Sequence, residues 1–205
     1  MNMLTAWSIF SFRRELTYVA FAFLSVILLP FVAVIVLTQT GFNIVSDTLV
    51  DVSEVNQEVE LKNPLDGSTT TTLEGPFTWP TAGIITLEFG ESSFVQAFHT
   101  GLDIAGKLNE PVTPFMDGKV IYAGQISWGY GKHVIVEHDN NLTSIYAHLN
   151  QINVVPGQEV KPGDVIGGQG STGWSTGVHL HFQVNLYGIP VNPKVFLGKE
   201  LQDTN

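Results

Sequence analysis

Two histidines near the C-terminal end of the chain, His179 and His181, have a spacing that could do chemistry. They follow a loop rich in glycine and serine, residues 170–177. If residues 178–184 form a strand, its period of two places both imidazoles on one face and the apolar residues that alternate with them on the other. Two neutral imidazoles this close either share a metal ion or divide the work between a ligand and a proton-handling partner. Surface strands also carry such pairs by chance, so a metal site needs support from elsewhere in the chain.

A second pair, His99 and Asp103, supplies that support. The two residues are four apart, and Gly101 between them argues against a helix. On an extended chain an even spacing also directs both side chains one way. An imidazole, a carboxylate and one more imidazole, from His179 or His181, make a three-ligand zinc site with a fourth position open to water, which is the catalytic pattern. The imidazole left over would be free to move protons.

Another histidine, His148, lies in the apolar segment 144–149. On a strand it would share one face with Tyr146, and the alternating apolar residues would pack on the other face. His148 is therefore a second candidate for a proton-handling imidazole beside the metal, with a half-buried structural histidine as the alternative. His133 and His138 fall on opposite faces of one predicted strand, so we interpret both as structural or surface residues.

Short strands are the elements that would position these residues. Runs with strand character, bounded by glycine, proline or asparagine-aspartate, occur at residues 84–89, 101–104, 119–123, 133–138, 143–149, 165–166 and 178–184. No long helical period follows residue 76. The sequence therefore predicts an all-β domain over residues 76–198, an antiparallel sandwich or barrel, followed by a short tail at 199–205.

Residues 16–37 predict a transmembrane helix. These 22 residues carry no charge and would extend about 33 Å as a helix, against a hydrocarbon core of roughly 30 Å. Arg13 and Arg14 precede the segment, and the first basic residue after it is Lys62. The positive-inside rule places residues 1–15 in the cytoplasm and everything after the helix outside. A cleaved signal peptide is the alternative, although the segment is long for one and has no small-x-small site at its exit.

Residues 38–75 differ in composition from both neighbours. Seven acidic residues occur there with a single lysine, together with a run of hydroxyl residues at 68–72. This composition predicts a flexible, acidic Ser/Thr-rich linker. A linker that occupies the substrate groove in an inactive state would make a protein starting near Gly75 more active than one starting near Gly41.

The overall composition excludes two classes of site. A net charge of −10 argues against nucleic-acid binding, because no basic stripe is available to neutralise phosphates. The chain has no cysteine, so neither disulfides nor thiolate zinc sites can form, and a metal must be held by histidine, aspartate or glutamate.

Several short motifs, in order and spacing, resemble one known family. They are Trp79-Pro80, Phe89-Gly90, His99-x-x-x-Asp103, Tyr146-Ala-His148-Leu, Pro156-Gly157 with Gly163-Asp164 and Gly167, and the Gly-Ser-Thr-Gly-x-Ser-Thr-Gly-x-His-x-His-Phe run that ends at Phe182. Over about residues 77–197 the chain resembles the lysostaphin-type (LytM-like) zinc metallopeptidases, which are bacterial peptidoglycan hydrolases. One departure is Glu91, which follows Phe-Gly where the family often has an aromatic residue or arginine.

The resemblance implies an antiparallel β fold of the duplicated-hybrid-motif type and an endopeptidase that cuts peptidoglycan stem peptides or cross-links. Carried over residue by residue, His99, Asp103 and His181 would bind one zinc ion, and His148 and His179 would be the catalytic pair. With the predicted helix, this describes an enzyme anchored in the cell membrane, with its catalytic domain extracytoplasmic. The alternative is a non-catalytic module of the same fold that binds the cell wall or activates other hydrolases. The presence of all five residues counts against it.

Overall fold

The computed structural model describes residues 3–52, 58–75, 77–92 and 96–197. The chain divides into two compact units, residues 1–40 and 41–205. Helix α1, Met3–Leu49, forms the first unit and contributes residues 41–49 to the second. It contains the stretch Leu16–Leu49, which among the described residues is the one helix long and apolar enough to cross a membrane, judged by length and composition. Pro30 lies inside α1 without ending it.

The second unit is built from antiparallel strands. A small sheet has the order β1, Val50–Val52, β2, Val59–Lys62, and β3, Thr69–Leu73. The later strands are β4 Ile84–Leu87, β5 Leu102–Ala105, β6 Pro111–Val112, β7 Gly118–Gln125, β8 Lys132–Glu137, β9 Leu142–Ala147, β10 Gln151–Ile152, β11 Glu159–Val160, β12 Gly167–Gly168, β13 His179–Leu186 and β14 Ile189–Val191. The main sheet has the order β11-β7-β8-β9-β13-β5-β4 with β14 paired to β13, and β10-β12-β6 form another small sheet. Helix α2, Lys194–Leu197, follows β14.

The predicted all-β antiparallel architecture is confirmed. Six of the seven predicted strand segments overlap β4, β5, β7, β8, β9 and β13, and the seventh, at 165–166, lies just before β12. The strands that the sequence did not predict are mostly two or three residues long, too short to show an alternating pattern. The boundaries at 38–75, 76–198 and 199–205 stay predictions, and Pro76 and residues 198–205 lie outside the described residues.

The segment expected to be a flexible linker contains the sheet β1–β3. Val50, Val59 and Leu61 are 3%, 1% and 0% exposed and belong to the same apolar cluster as the main sheet. On β2 the apolar residues alternate with Glu60 and Lys62, so one face packs while the charges stay on the other. The charge-rich composition therefore concealed a half-buried strand. Residues 53–57 of the expected linker lie outside the described residues.

Candidate metal centre

Strand β13 lies between β9 and β5, and its register brings the predicted site residues together. His181 is paired with Asp103 on β5 and with Ala147 on β9, directly before His148. His179 lies two residues earlier on the same strand, and the residues that alternate with the two histidines are fully buried. The period of two thus directs both imidazoles toward the site, as the sequence predicts.

Three ligand-type atoms form a tight triangle at the centre of the site. His99 Nε2 and His181 Nδ1 each lie 2.9 Å from Asp103 Oδ1, and the two nitrogens are 3.0 Å apart. His99 and His181 are buried, at 1% and 5% exposure. Burial alone would raise the pKa of Asp103, but its contacts with His181 and His99 outweigh burial and hold that pKa well below the usual range. The centre is therefore a carboxylate between two imidazoles.

The outer ring nitrogens of these two histidines fix where their protons lie. His99 Nδ1 is 3.0 Å from the backbone carbonyl oxygen of Glu88, which can only accept, so Nδ1 carries a proton and Nε2 is the nitrogen that can bind a metal. His181 Nε2 is 3.4 Å from Gln183 Oε1 and donates to it, so Nδ1 is the nitrogen that can bind a metal. In these tautomers the two inner nitrogens and the carboxylate of Asp103 would all present ligand lone pairs to one shared cation. His99, Asp103 and His181 together suit a metal cation.

His148 stands beside this triangle, immediately after β9. Its backbone is in the left-handed region at φ 61°, and its N–H donates to Tyr130 O at 2.9 Å. The ring donates from Nδ1 to Thr172 O at 2.8 Å, which leaves Nε2 unprotonated. Burial, with the nearby His181, lowers the pKa of His148 to about 4. The imidazole is therefore neutral at physiological pH.

His179 lies at the edge of the site and has the same arrangement of protons. Its Nδ1 is 2.9 Å from Gly177 O and donates to it, while Nε2 is 3.7 Å from Asp103 Oδ2. The rings of His148 and His179 are 4.7 Å apart. Two imidazoles whose Nδ1 atoms are bonded to backbone carbonyl oxygens therefore flank the candidate metal ligands.

The left-handed backbone at His148 changes one expectation. Tyr146 does not share the surroundings of His148: it is 0% exposed, and its hydroxyl accepts the N–H of Phe115 at 3.0 Å. The alternation of β9 ends at Ala147, so the next residue turns out of the strand and toward the site. Tyr146 is a core residue.

Gln183 is a site-supporting residue that the sequence interpretation missed. Its Oε1 accepts from Thr100 Oγ1 at 2.7 Å and from Tyr130 Oη at 2.9 Å, besides facing His181 Nε2. Burial raises the pKa of Tyr130, so its phenol stays a donor. The available signal was the period of two, since Gln183 follows His181 on the same face of β13.

His133 and His138 lie outside this cluster. Both are buried, at 5% and 6% exposure, and each donates from Nδ1 to a backbone carbonyl oxygen. The His133 ring stacks on Tyr122 at 4.5 Å. Both are structural, as the sequence interpretation allowed.

Comparison with protein families gives a match over residues 97–193 to the family described as Peptidase family M23. The Escherichia coli K12 protein named murein hydrolase activator NlpD is 40% identical over 119 residues, which cover 58% of this chain and 30% of that protein. The Neisseria meningitidis protein named DD-carboxypeptidase/endopeptidase Mpg is 43% identical over 95 residues, which cover 46% of this chain and 22% of that protein. The chain thus spans less than a third of the length of either relative.

Among solved structures, a zinc-containing peptidase from Vibrio cholerae is similar to the chain. The match has a TM-score of 0.55 and 30% identity, and it covers 69% of this chain and 47% of that one. The matched part includes more of the chain than the family model, in agreement with one all-β unit around the candidate metal centre.

Proposed function

Because the chain belongs to peptidase family M23, the lysostaphin-type (LytM-like) family, through residues 97–193, we propose that it is a membrane-anchored zinc metalloendopeptidase. Its substrate is bacterial peptidoglycan, in which it hydrolyses peptide bonds of stem peptides or cross-links. In this proposal His99, Asp103 and His181 hold one zinc ion. His148 and His179 are the catalytic pair.

The observation that carries the proposal is the convergence of three ligand-type atoms, on His99, Asp103 and His181, within 3.0 Å of one another. Two imidazoles with one carboxylate are a ligand set that suits zinc. When bound there, zinc would lower the pKa of water and polarise a peptide carbonyl.

The proton transfers fall to His148 and His179. Each has its Nδ1 proton held by a backbone carbonyl, so in the neutral ring Nε2 is the nitrogen that can accept a proton. One accepts the proton of the attacking water and then returns it to the leaving amine. The other can donate from Nε2 to the tetrahedral oxygen, and so stabilise its negative charge, once that nitrogen has taken up a proton from solvent. Their 4.7 Å ring separation allows both to reach one scissile bond.

The membrane anchor in this proposal is α1. Its apolar stretch is long enough to cross a bilayer, and its exposed side chains include Val19, Phe23 and Leu37 at 65%, 69% and 72%. The two arginines before the stretch support a cytoplasmic N-terminus and an extracytoplasmic catalytic domain.

A non-catalytic activator is the second candidate function. The observation that favours it is the 40% identity to a protein named murein hydrolase activator. Against it stand the complete set of five site residues and the identity to a protein named as a DD-carboxypeptidase/endopeptidase. Both candidates concern the cell wall, and they differ in whether the chain itself cleaves.

The experiment that separates them compares wild type, His148→Asn and His181→Ala, each as the 205-residue chain in detergent. Asparagine tolerates the left-handed backbone at position 148, so the first variant tests the imidazole without strain. We expect one zinc per wild-type chain and release of new amino groups, but no reducing sugar ends, from purified peptidoglycan.

His148→Asn should retain zinc and lose about 100-fold or more in kcat, the usual contribution of a general acid or base, whereas His181→Ala should lose both zinc and activity. The activator would be established instead by a wild type that binds no metal, cleaves nothing and stimulates a separate hydrolase, with both variants stimulating that hydrolase equally well.

A further inference from the structure

The end of helix α1 is packed onto the segment that carries His99. Phe42 stacks on Phe98 with 4.5 Å between ring centroids and 26° between planes, and Phe98 makes an edge contact with Phe89 at 5.3 Å. Phe98 and Phe89 are 8% and 9% exposed, while Phe42 closes the cluster from outside at 38%. Such aromatic pairs stabilise their arrangement beyond the area that they bury.

The phenylalanines of this cluster lie next to His99 in the sequence and next to the residue whose carbonyl orients its ring. Phe98 directly precedes His99, and Phe89 directly follows Glu88, whose carbonyl accepts the Nδ1 proton of His99. The same turn holds the backbone of His99, which donates to Glu91 O and accepts from Gly90 N, both at 2.9 Å. A shift of either phenylalanine therefore moves His99 or the carbonyl that orients it.

Three further contacts fix residues 42–49, the end of α1, in this place. Gly90 has φ 81°, and a Cβ there would collide with the side chain of Asn43. Ser46, 1% exposed, accepts the backbone N–H of Asn192 at 2.9 Å, and Leu49 is 3% exposed in the core cluster. Residues 42–49 are thus packed as part of the second unit.

From this packing we propose that Phe42 is a positioning residue for the metal centre, acting through Phe98 on His99. The proposal rests on the proposed function only in taking His99 as a zinc ligand. Partners that orient a ligand commonly change metal affinity 10- to 100-fold when they are removed. Phe42 lies one residue further from the ligand, so we expect about 10-fold weaker zinc binding for Phe42→Ala.

The matched control is Ile44→Ala, on the same turn of α1. Ile44 is 59% exposed, and the substitution removes an apolar side chain two residues from Phe42 while leaving the stacked ring of Phe42 in place. Phe42→Tyr keeps the stacked ring and should restore affinity. If Phe42→Ala does not fold, Phe42→Leu keeps the apolar volume but not the ring and takes its place.

The test measures zinc affinity by chelator competition and the visible spectrum of the cobalt-substituted protein, for the 205-residue chain in detergent at a temperature where all variants are folded. Weaker binding and an altered cobalt spectrum in Phe42→Ala, with Ile44→Ala and Phe42→Tyr like wild type, would establish the proposal. Identical affinities and spectra in all four would overturn it and leave the proposed function standing. A wild type that binds neither metal would overturn both.

Discussion

At the scale of single residues, the fold decides which ring nitrogen of each site histidine carries the proton. His99, His148 and His179 donate from Nδ1 to backbone carbonyl oxygens, so in each neutral ring Nε2 is the nitrogen with the lone pair. His181 is the exception, because its outer nitrogen faces the side chain of Gln183. Its orientation can therefore be changed by substitution, whereas the other three are set by the backbone.

Gln183→Met should weaken zinc binding by about 10-fold or more, since it removes the acceptor that orients His181 and leaves the Thr100 and Tyr130 hydroxyls without theirs. Gln183→Glu keeps an acceptor at the same position and should bind zinc at least as tightly as wild type. Chelator competition on both variants measures the difference. Equal affinity of Gln183→Met and wild type would show that the backbone alone orients His181.

Part of this site can be predicted from the sequence. The period of two relates His179 to His181, and resemblance supplies roles for His99, Asp103 and His148. The proton positions could not be predicted, because the acceptors at Glu88, Thr172 and Gly177 are main-chain oxygens that any residue would offer. Their placement depends on loops far apart in the chain.

At the scale of elements, β8 and β9 are joined by a buried polar chain behind the site. His138 donates from Nδ1 to Asp117 O at 2.7 Å, and its Nε2 is 2.8 Å from Ser144 Oγ. Ser144 Oγ is also 3.0 Å from the Tyr146 hydroxyl. His138, Ser144 and Tyr146 are all buried, so this hydrogen-bonded network stabilises β9, the strand that His148 follows.

The histidine in this hydrogen-bonded network, His138, makes the stability of the folded protein depend on pH. Burial lowers the pKa of His138 to about 4, below the ordinary value of about 6.5 in the unfolded chain. Between these values the unfolded state binds the proton and the folded state does not, so stability is full above about pH 6.5 and falls as pH drops toward 4. The loss attributable to His138 should approach about 3 kcal/mol.

Urea unfolding of chelator-treated wild type and His138→Gln from pH 7 to pH 4 measures this loss. Since His148 also titrates in this range, the difference in slope between the two proteins isolates His138. The variant should be less stable than wild type at pH 7, and its free energy of unfolding should fall less on acidification. Parallel slopes would show that His138 is protonated at the same pH in both states.

The elements themselves were predictable in proportion to their length. Strands β7, β8, β9 and β13 have six to eight residues and show in the sequence as apolar runs or alternation. Strands such as β6, β10 and β11 have two residues and exist because tertiary packing aligns them. In β2, only two buried apolar residues alternate with charged ones, and within an acidic segment this pattern was too weak to predict a strand.

At the scale of the whole molecule, the proposed topology can be tested by accessibility, because the chain has no native cysteine. A membrane-impermeant maleimide added to intact spheroplasts should label Asp164→Cys, on a loop after β11, but not Ser8→Cys, ahead of the apolar stretch. The positive-inside rule gives the reason. Labelling of Ser8→Cys before lysis, with Asp164→Cys protected, would show that the protein has the opposite orientation in the membrane.

The segment between the apolar stretch and the main sheet is the part of the molecule where composition and structure lead to opposite expectations. A flexible acidic linker that covers the groove predicts that a protein starting at Gly75 is more active than one starting at Gly41. In the structure Leu49, Val50, Val59 and Leu61 are 3%, 3%, 1% and 0% exposed within the core cluster. Their removal should therefore uncover core surface rather than open a groove.

Burial of these four side chains is worth about 6 kcal/mol or more at the usual 1.5–3 kcal/mol each, as much as the whole stability of many domains, about 5–15 kcal/mol. We expect the protein starting at Gly41 to unfold cooperatively and the one starting at Gly75 to unfold at a much lower temperature or to aggregate, with lower peptidase activity. Thermal unfolding and amino-group release, measured on the two proteins side by side, decide between the expectations. Equal stability with higher activity in the shorter protein would mean that residues 41–74 restrain the site instead of supporting it.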